Sequence, residues 1–266
     1  MPQLEILLIR FYFAVSNRDM ERQLMRRPIM TYATLPNLRS FIFQSVSAYS
    51  EAVLSRVTAP RLEDFHISYP EQLSSPVPQL LQFVGGTENL RFERAVRAVF
   101  WFESKRVYVT VDPPETNMPM TTFSIGVRCW HPDWQVSSVA HIFSAPGQIF
   151  STVEHLTLLH EVHNQSSEEH NEVDRTEWRK FLRSFSNVKT LCVHRGLVRR
   201  LSHCLRLEDG ERPLELLPEL QKLTYSGSSN TNDVFTSFVD ARQNAGRPVI
   251  LMKTLYLTLR SRDWDT

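Results

Sequence analysis

The sequence predicts an α/β protein: a curved parallel sheet with helices outside it, built by stacking a repeated strand–helix unit. Three observations predict this. A short apolar pattern recurs six times, and proline or serine opens every copy. Amphipathic, helix-like stretches separate the copies. The chain of 266 residues, 42% hydrophobic and 22% charged, has the length and composition of a folded domain with a sizeable core.

The pattern is a turn-forming residue, a variable one, then apolar-x-x-apolar-x-apolar. Its first copies are Pro2-Gln3-Leu4-Glu5-Ile6-Leu7-Leu8-Ile9, Pro36-Asn37-Leu38-Arg39-Ser40-Phe41-Ile42-Phe43 and Pro60-Arg61-Leu62-Glu63-Asp64-Phe65-His66-Ile67. Later copies are anchored at Val153/Leu156/Leu158, Val188/Leu191/Val193 and Leu220/Leu223/Tyr225. Strands are therefore expected near residues 5–9, 40–44, 64–68, 155–159, 190–194 and 222–226, parallel and in sequence order. The anchors step by 34, 24, 91, 35 and 32 residues. Leucine-rich repeats run about 20–29 residues and lengthen with their loops or helices, so the fold expected is a leucine-rich-repeat-like solenoid with irregular repeats. The long step covers residues 91–150, which hold either diverged repeats or an insertion. Within it, Val107/Val109/Val111 and Phe123/Ile125/Val127 alternate as strands do.

Helices are expected between the strands. Ala48 to Val57 has helical spacing, and Ser75-Pro76 caps a stripe of Val77, Leu80, Leu81 and Val84 that stops at Gly85-Gly86. Thr176 caps a helix from Glu177 carrying Trp178, Phe181, Leu182 and Phe185. Asn232 or Asp233 starts another, running to Gly246-Arg247-Pro248.

Thirty basic against twenty-nine acidic residues give a net charge of +1, which argues against broad binding to nucleic acid. Cys129, Cys192 and Cys204 form no framework spacing, as in a reducing compartment. The apolar run Ile6–Ile9 is too short for a signal peptide or a membrane span. A cytoplasmic or nuclear location without membrane association is expected.

One resemblance follows from the segments Leu216-Leu217-Pro218-Glu219-Leu220-Gln221-Lys222-Leu223-Thr224-Tyr225, Phe235-Thr236-Ser237-Phe238-Val239-Asp240-Ala241-Arg242 and Gly246-Arg247-Pro248. With Ala59-Pro60-Arg61-Leu62-Glu63, Asn89-Leu90-Arg91-Phe92 and Phe150-Ser151-Thr152-Val153-Glu154-His155-Leu156, they resemble the leucine-rich-repeat region of F-box proteins of mushroom-forming fungi. That resemblance implies a modular adaptor, in which an F-box grips a ubiquitin-ligase adaptor and the repeats hold the substrate. The chain departs from the pattern in two ways. Its first repeat starts at Leu4, ahead of which no F-box fits, so adaptor docking is expected only if an F-box lies upstream. Tyr12, Val46, Pro70, Glu161, Gly196 and Ser228 occupy positions where regular repeats carry asparagine or cysteine. An opening strand without a cap would also drive self-association through residues 4–13.

Reactive chemistry is sparse. His160-Glu161-Val162-His163 is one residue short of H-E-x-x-H, and His170 lies seven residues further on; a solvated loop is expected. Cys192, His194, His203 and Cys204 lack the close pairing of zinc ligands. No phosphate loop, dinucleotide turn or nucleophile elbow occurs. No catalytic residue, cofactor or metal is therefore expected. The run Glu168, Glu169, Glu172, Asp174 and Glu177 reads as a solvated loop that could dock a basic partner, with Arg195, Arg199, Arg200 and Arg206 close by to neutralise it.

The expected activity is non-enzymatic recognition of a protein target on the concave sheet, by residues that alternate with the anchors. The candidates are Ser40, Gln44, Asp64, His66, His155, Thr157, His194 and Lys222, with Ile42, Ser68, Leu159, Thr190, Cys192, Thr224 and Ser226 beside them. The competing expectations are a hydrolase or transferase on an ordinary parallel α/β sheet and a fragment with no independent role.

Overall fold

The structure, a computed structural model, describes residues 3–11, 17–26, 28–90, 96–112, 122–129, 132–143, 152–160, 172–208, 210–226 and 234–254. In chain order the elements are β1 (Ile6–Arg10), α1 (Asn17–Arg26), β2 (Ala33–Thr34), β3 (Ser40–Gln44), α2 (Ser47–Leu54), β4 (Val57–Thr58) and β5 (Asp64–Tyr69). Then come α3 (Pro78–Gly85), β6 (Arg97–Phe102), β7 (Arg106–Asp112), β8 (Thr122–Arg128), α4 (Pro132–Phe143) and β9 (His155–His160). The last are α5 (Glu172–Arg183), β10 (Thr190–Val193), α6 (Arg195–Leu205), β11 (Lys222–Ser226), α7 (Thr236–Asn244) and β12 (Ile250–Thr254).

Ten of these strands form one sheet in the order β1-β3-β5-β8-β7-β6-β9-β10-β11-β12, while β2 and β4 make a separate parallel pair. The six strands expected from the anchor pattern are all present, and each pairing among them is parallel. Sequence order is broken in the middle, where β6, β7 and β8 form a meander that enters the sheet in reverse. There β7 runs antiparallel to both neighbours, while β8 and β6 lie parallel to β5 and β9. The short Glu103–Arg106 connection, closed by the Glu103 N–H donating to the Arg106 carbonyl at 2.8 Å, permits only a hairpin.

The proline that opens several copies occupies the second position of a turn. The N–H groups of Leu38, Leu62 and Leu220 donate to the carbonyls of Leu35, Ala59 and Leu217, with Pro36, Pro60 and Pro218 next in line. Proline fixes the backbone angle that this turn position needs. Each turn delivers the chain to a joint that recurs along the sheet. Two consecutive amides before a strand donate to one carbonyl before its neighbour: Arg39 and Ser40 to Glu5, Glu63 and Asp64 to Arg39, Glu154 and His155 to Val96. Lys189 and Thr190 do the same to Glu154, and Gln221 and Lys222 to Lys189, all at 2.7–3.0 Å. This backbone joint ties neighbouring strands in a chain that carries no asparagine ladder.

Anchors point to one face and are buried: Leu38, Phe41, Phe43, Leu62, Phe65, Ile67, Leu156, Leu158, Leu191, Leu223 and Tyr225 are at most 2% exposed. The helices pack on that face. Phe65 meets Phe83 of α3, Phe100 meets Phe181 of α5, Phe102 meets Trp178, and α4 and α6 add Val136, Val139, Leu197 and Leu201 to the same core. Among the described residues no helix is long and apolar enough to cross a membrane.

Several helix boundaries differ from expectation. α2 ends at Leu54, and Val57 belongs to β4. Ser75 does not cap α3; the Glu51 carboxylate, reaching from α2, accepts the N–H groups of Gln79 and Leu80 at 2.8 and 3.0 Å. Thr176 lies inside α5, which opens four residues earlier at Glu172, so Glu172 and Asp174 are helical rather than in a loop. α7 begins at Thr236, and Asn232 and Asp233 lie outside the described residues. Arg175, Arg179 and Arg183 of α5 pair with Glu208, Glu211 and Glu215, the Arg179–Glu211 distance being 3.0 Å.

Candidate functional site

Between the anchors, alternate residues point to the face that the described helices leave open. In β3 and β5 the burial alternates strictly: Phe41, Phe43, Phe65 and Ile67 are buried, while Ser40, Ile42, Gln44, Asp64, His66 and Ser68 are half-exposed. Register aligns these residues into rows. Leu8, Ile42, His66 and Ser124 form one, continued through Thr110, Val99, Thr157, Cys192, Thr224 and Met252.

The expected candidates fall into two groups on this face. On one flank the Ser40 hydroxyl donates to Asp64 at 3.0 Å, and His66 Nδ1 lies 2.5 Å from Ser124 Oγ. Burial holds the His66 pKa below the usual histidine value; Asp64 opposes that shift and Arg10 adds to it. Gln44 stands in register between Arg10 and Ser68. On the other flank, exposed His155 lies between Arg97 and Thr190, and half-buried Lys222 between Thr190 and Ile250. β8, β7 and β6 separate the groups, roughly 19 Å at the usual strand spacing of about 4.8 Å. They form a surface rather than one pocket.

Three expected contact residues are closed off. Thr157, Leu159 and Ser226 are 8, 6 and 3% exposed. Val99 and Cys192 flank Thr157 in register, Trp101 lies beside Leu159, and Ser226 Oγ accepts the Arg195 N–H at the start of α6. His194 precedes α6 at its N-cap instead of lying within β10. Its Nδ1 and that of His160 are buried without a hydrogen-bond partner. Burial holds both rings below the usual pKa, His160 down to about 4 with help from Arg200 and His194.

The centre of the face carries residues that the anchor pattern did not point to: Arg97, Val99 and Trp101 on β6, Arg106, Tyr108 and Thr110 on β7, and Ser124, Gly126 and Arg128 on β8. The alternating Val107/Val109/Val111 and Phe123/Ile125/Val127 contain the signal, since the intervening residues must face the other way. Tyr108 lies against Gly126, where an added Cβ would come within 3.1 Å of the ring. A side chain there would displace the ring, so glycine permits the close approach.

The cysteines and histidines do not converge. Cys192 is on the open face, Cys204 is in the core and His203 is exposed on α6. Burial raises the Cys192 thiol pKa, with Lys222 and Arg97 opposing it, which disfavours a reactive thiolate. Among the described residues no group of three or more His, Cys, Asp or Glu is placed to hold a metal ion. Of His160-Glu161-Val162-His163 only His160 is described, and His163, His170, Glu168 and Glu169 lie outside the described residues. Comparison with family models, with curated proteins and with solved structures finds no match to this chain.

Proposed function

We propose that the chain is a non-enzymatic protein-recognition domain, an irregular leucine-rich-repeat-like solenoid that binds its target across the open face of the sheet. The observation that carries this reading is the arrangement of strands and helices. A sheet this wide has α2 to α7 packed on one face, with the other face, among the described residues, left to side chains of mixed chemistry. The recurring turn, strand and two-amide joint further support stacked units over an ordinary doubly covered sheet, in which helices lie on both faces. Our reading keeps the resemblance to the substrate-holding repeats of fungal F-box proteins. It gives the repeats the task of target recognition and assigns ligase docking to an F-box, not to these repeats.

Selection of binders from a random peptide library on the immobilised chain tests the proposal. Binders are expected to lose at least about tenfold in affinity when Thr110 or Thr224 is replaced by Trp, which obstructs the face. Binders that map instead to α5 or α6, or no enrichment at all, would overturn it.

A further inference from the structure

The open face carries a charge surplus that the whole-chain balance of +1 conceals. Within its strands, Arg10, Arg106, Arg128 and Lys222 stand against one carboxylate, Asp64, among the described side chains, while Arg97 is in register with Asp112. Asp64 already accepts a hydrogen bond from Ser40. Elsewhere opposite charges meet. Arg39 pairs with Glu63 at 3.8 Å and Lys189 with Glu154 at 2.7 Å along the rim, and the α5 arginines pair with Glu208, Glu211 and Glu215.

The surplus is sharpest at the meander. Arg106 and Arg128 are direct partners across the antiparallel β7–β8 pair, and both are exposed. Like charges facing each other across strands destabilise a sheet. The hydrogen bond to Tyr108 favours the charged form of Arg106 most, and Glu103, in the β6–β7 hairpin, adds to it. Arg106 donates to the Tyr108 hydroxyl at 2.9 Å, which holds its guanidinium beside the ring. One row further on, Tyr108 and Trp101 are register partners, both half-buried.

Resting on the recognition reading of this face, we infer that its centre docks an acidic polypeptide segment that also carries apolar side chains. The partner's carboxylates meet Arg106 and Arg128, and its apolar groups lie on Tyr108 and Trp101. Arginine, tyrosine and tryptophan are the residues most often dominant in protein interfaces. Ile42 and Val99 give the face an aliphatic component that favours a polypeptide over a nucleic acid, whose phosphates and bases have no aliphatic complement.

The test uses fluorescence anisotropy with the full chain and a fluorescein-labelled peptide of about ten residues alternating Asp and Val. Extended, such a peptide reaches roughly 33 Å, enough to cross β8 to β9. Peptides alternating Asn and Val or Lys and Val, and an oligothymidylate of similar length, are run beside it. The Asp-Val peptide is expected to bind at least about tenfold tighter than the other three, and to weaken as salt rises. Replacing Arg106 and Arg128 together by Thr should cost at least about tenfold in affinity, while Arg199→Ser on α6 with Arg206→Ser at its C-cap should change it less than about twofold. Failure of the Asp-Val peptide to bind, an equal loss in the α6 variant or tighter binding of the oligothymidylate would overturn the inference. Tight binding of the Asn-Val peptide that is lost in Trp101→Ala would overturn it too, yet leave the face as a recognition surface. Arg128→Thr alone should keep or raise Tm by relieving the like-charge pair; a lowered Tm would mark the pair as structural and count against a docking role.

Discussion

The two flanks of the sheet share one backbone joint and are filled with different chemistry. On one side β1, β3 and β5 lead into a run of stacked rings, Phe43, Phe41, Phe65 and Phe123, with successive centroids 5.3–5.8 Å apart. The tie between helices there is a single carboxylate, Glu51, at the start of α3. On the other side β9, β10 and β11 bury Leu and Val anchors, and the ties are charged. α5 is latched by Arg175, Arg179 and Arg183, and buried Arg242 of α7 donates to the carbonyls of Leu217, Pro218 and Leu220 at 2.9–3.1 Å. Dispersion and burial have little pH dependence, whereas ion pairs and buried imidazoles do. The same architecture is thus filled by stacked rings on one flank and latched by arginine pairs on the other.

The largest effects should come from the rings and leucines. Phe65→Ala should cost about 3–5 kcal/mol and Leu156→Ala about 2–5 kcal/mol in urea unfolding. If both flanks melt as one unit, near-ultraviolet circular dichroism and tryptophan fluorescence will shift together in each variant. Two separated transitions would divide the molecule at the meander.

Arg242→Met removes the donor that serves the buried carbonyls of Leu217 and Leu220 and the half-buried one of Pro218, and should cost about 3 kcal/mol, measured the same way. Burial lowers the Arg242 pKa, so the cation is retained at a cost that its acceptors offset. A loss under 1 kcal/mol would show that the carbonyls find other partners.

The pH contrast sharpens the comparison further. His160 is held neutral in the folded chain, with a pKa near 4 against an ordinary 6.5. Its contribution is therefore complete above the ordinary value and lost as pH falls from there through about 4, a swing of about 3 kcal/mol at most. Burial of Glu51 raises its pKa, so its contribution runs the other way: present below the ordinary glutamate value and lost as pH rises through the raised one. Unfolding measured across this range should show the charged flank loosening first, and His160→Gln should flatten that decline. An unchanged profile in His160→Gln would reassign the acid lability. Glu208 and Glu215, depressed by Arg175 and Arg183, hold until pH falls through their lowered values.

Smaller effects remain at the helix ends and the surface. Glu51→Ala should cost about 1–2 kcal/mol by leaving two amides of α3 without their acceptor. Arg183→Ala, which removes an exposed pair with Glu215, should cost at most about 1 kcal/mol in thermal unfolding.

The strands of both flanks were legible because their side chains alternate or repeat at fixed intervals, as in Phe41, Phe43, Phe65 and Ile67. β6 was not, since Ala98-Val99-Phe100-Trp101-Phe102 is an unbroken apolar run that a helix or a strand could use equally. β12 escaped notice for a similar reason: Ile250-Leu251-Met252 does not alternate. The cap of α3 was misplaced because its acceptor, Glu51, comes from a distant position, and local spacing holds no trace of it. Of the candidate surface, Ser40, Asp64, His66, His155 and Lys222 were reachable from the anchors by alternation. Arg106 and Arg128 were reachable singly by the same alternation, from Val107 and Val127, but their facing pair was not, because it exists only after the meander has folded back.

The two-amide joint reads no side chain at all, and this bears on how such a chain can change length. The contact at Val96, where β9 follows a reversed meander, is built like the one at Arg39, where β5 follows its predecessor directly. A joint indifferent to what precedes it works as a common coupling, so whole units can be gained, lost or replaced without redesigning their neighbours. The meander, reversed in the order of the sheet, is thus hitched to β9 by the same fitting that its neighbours carry.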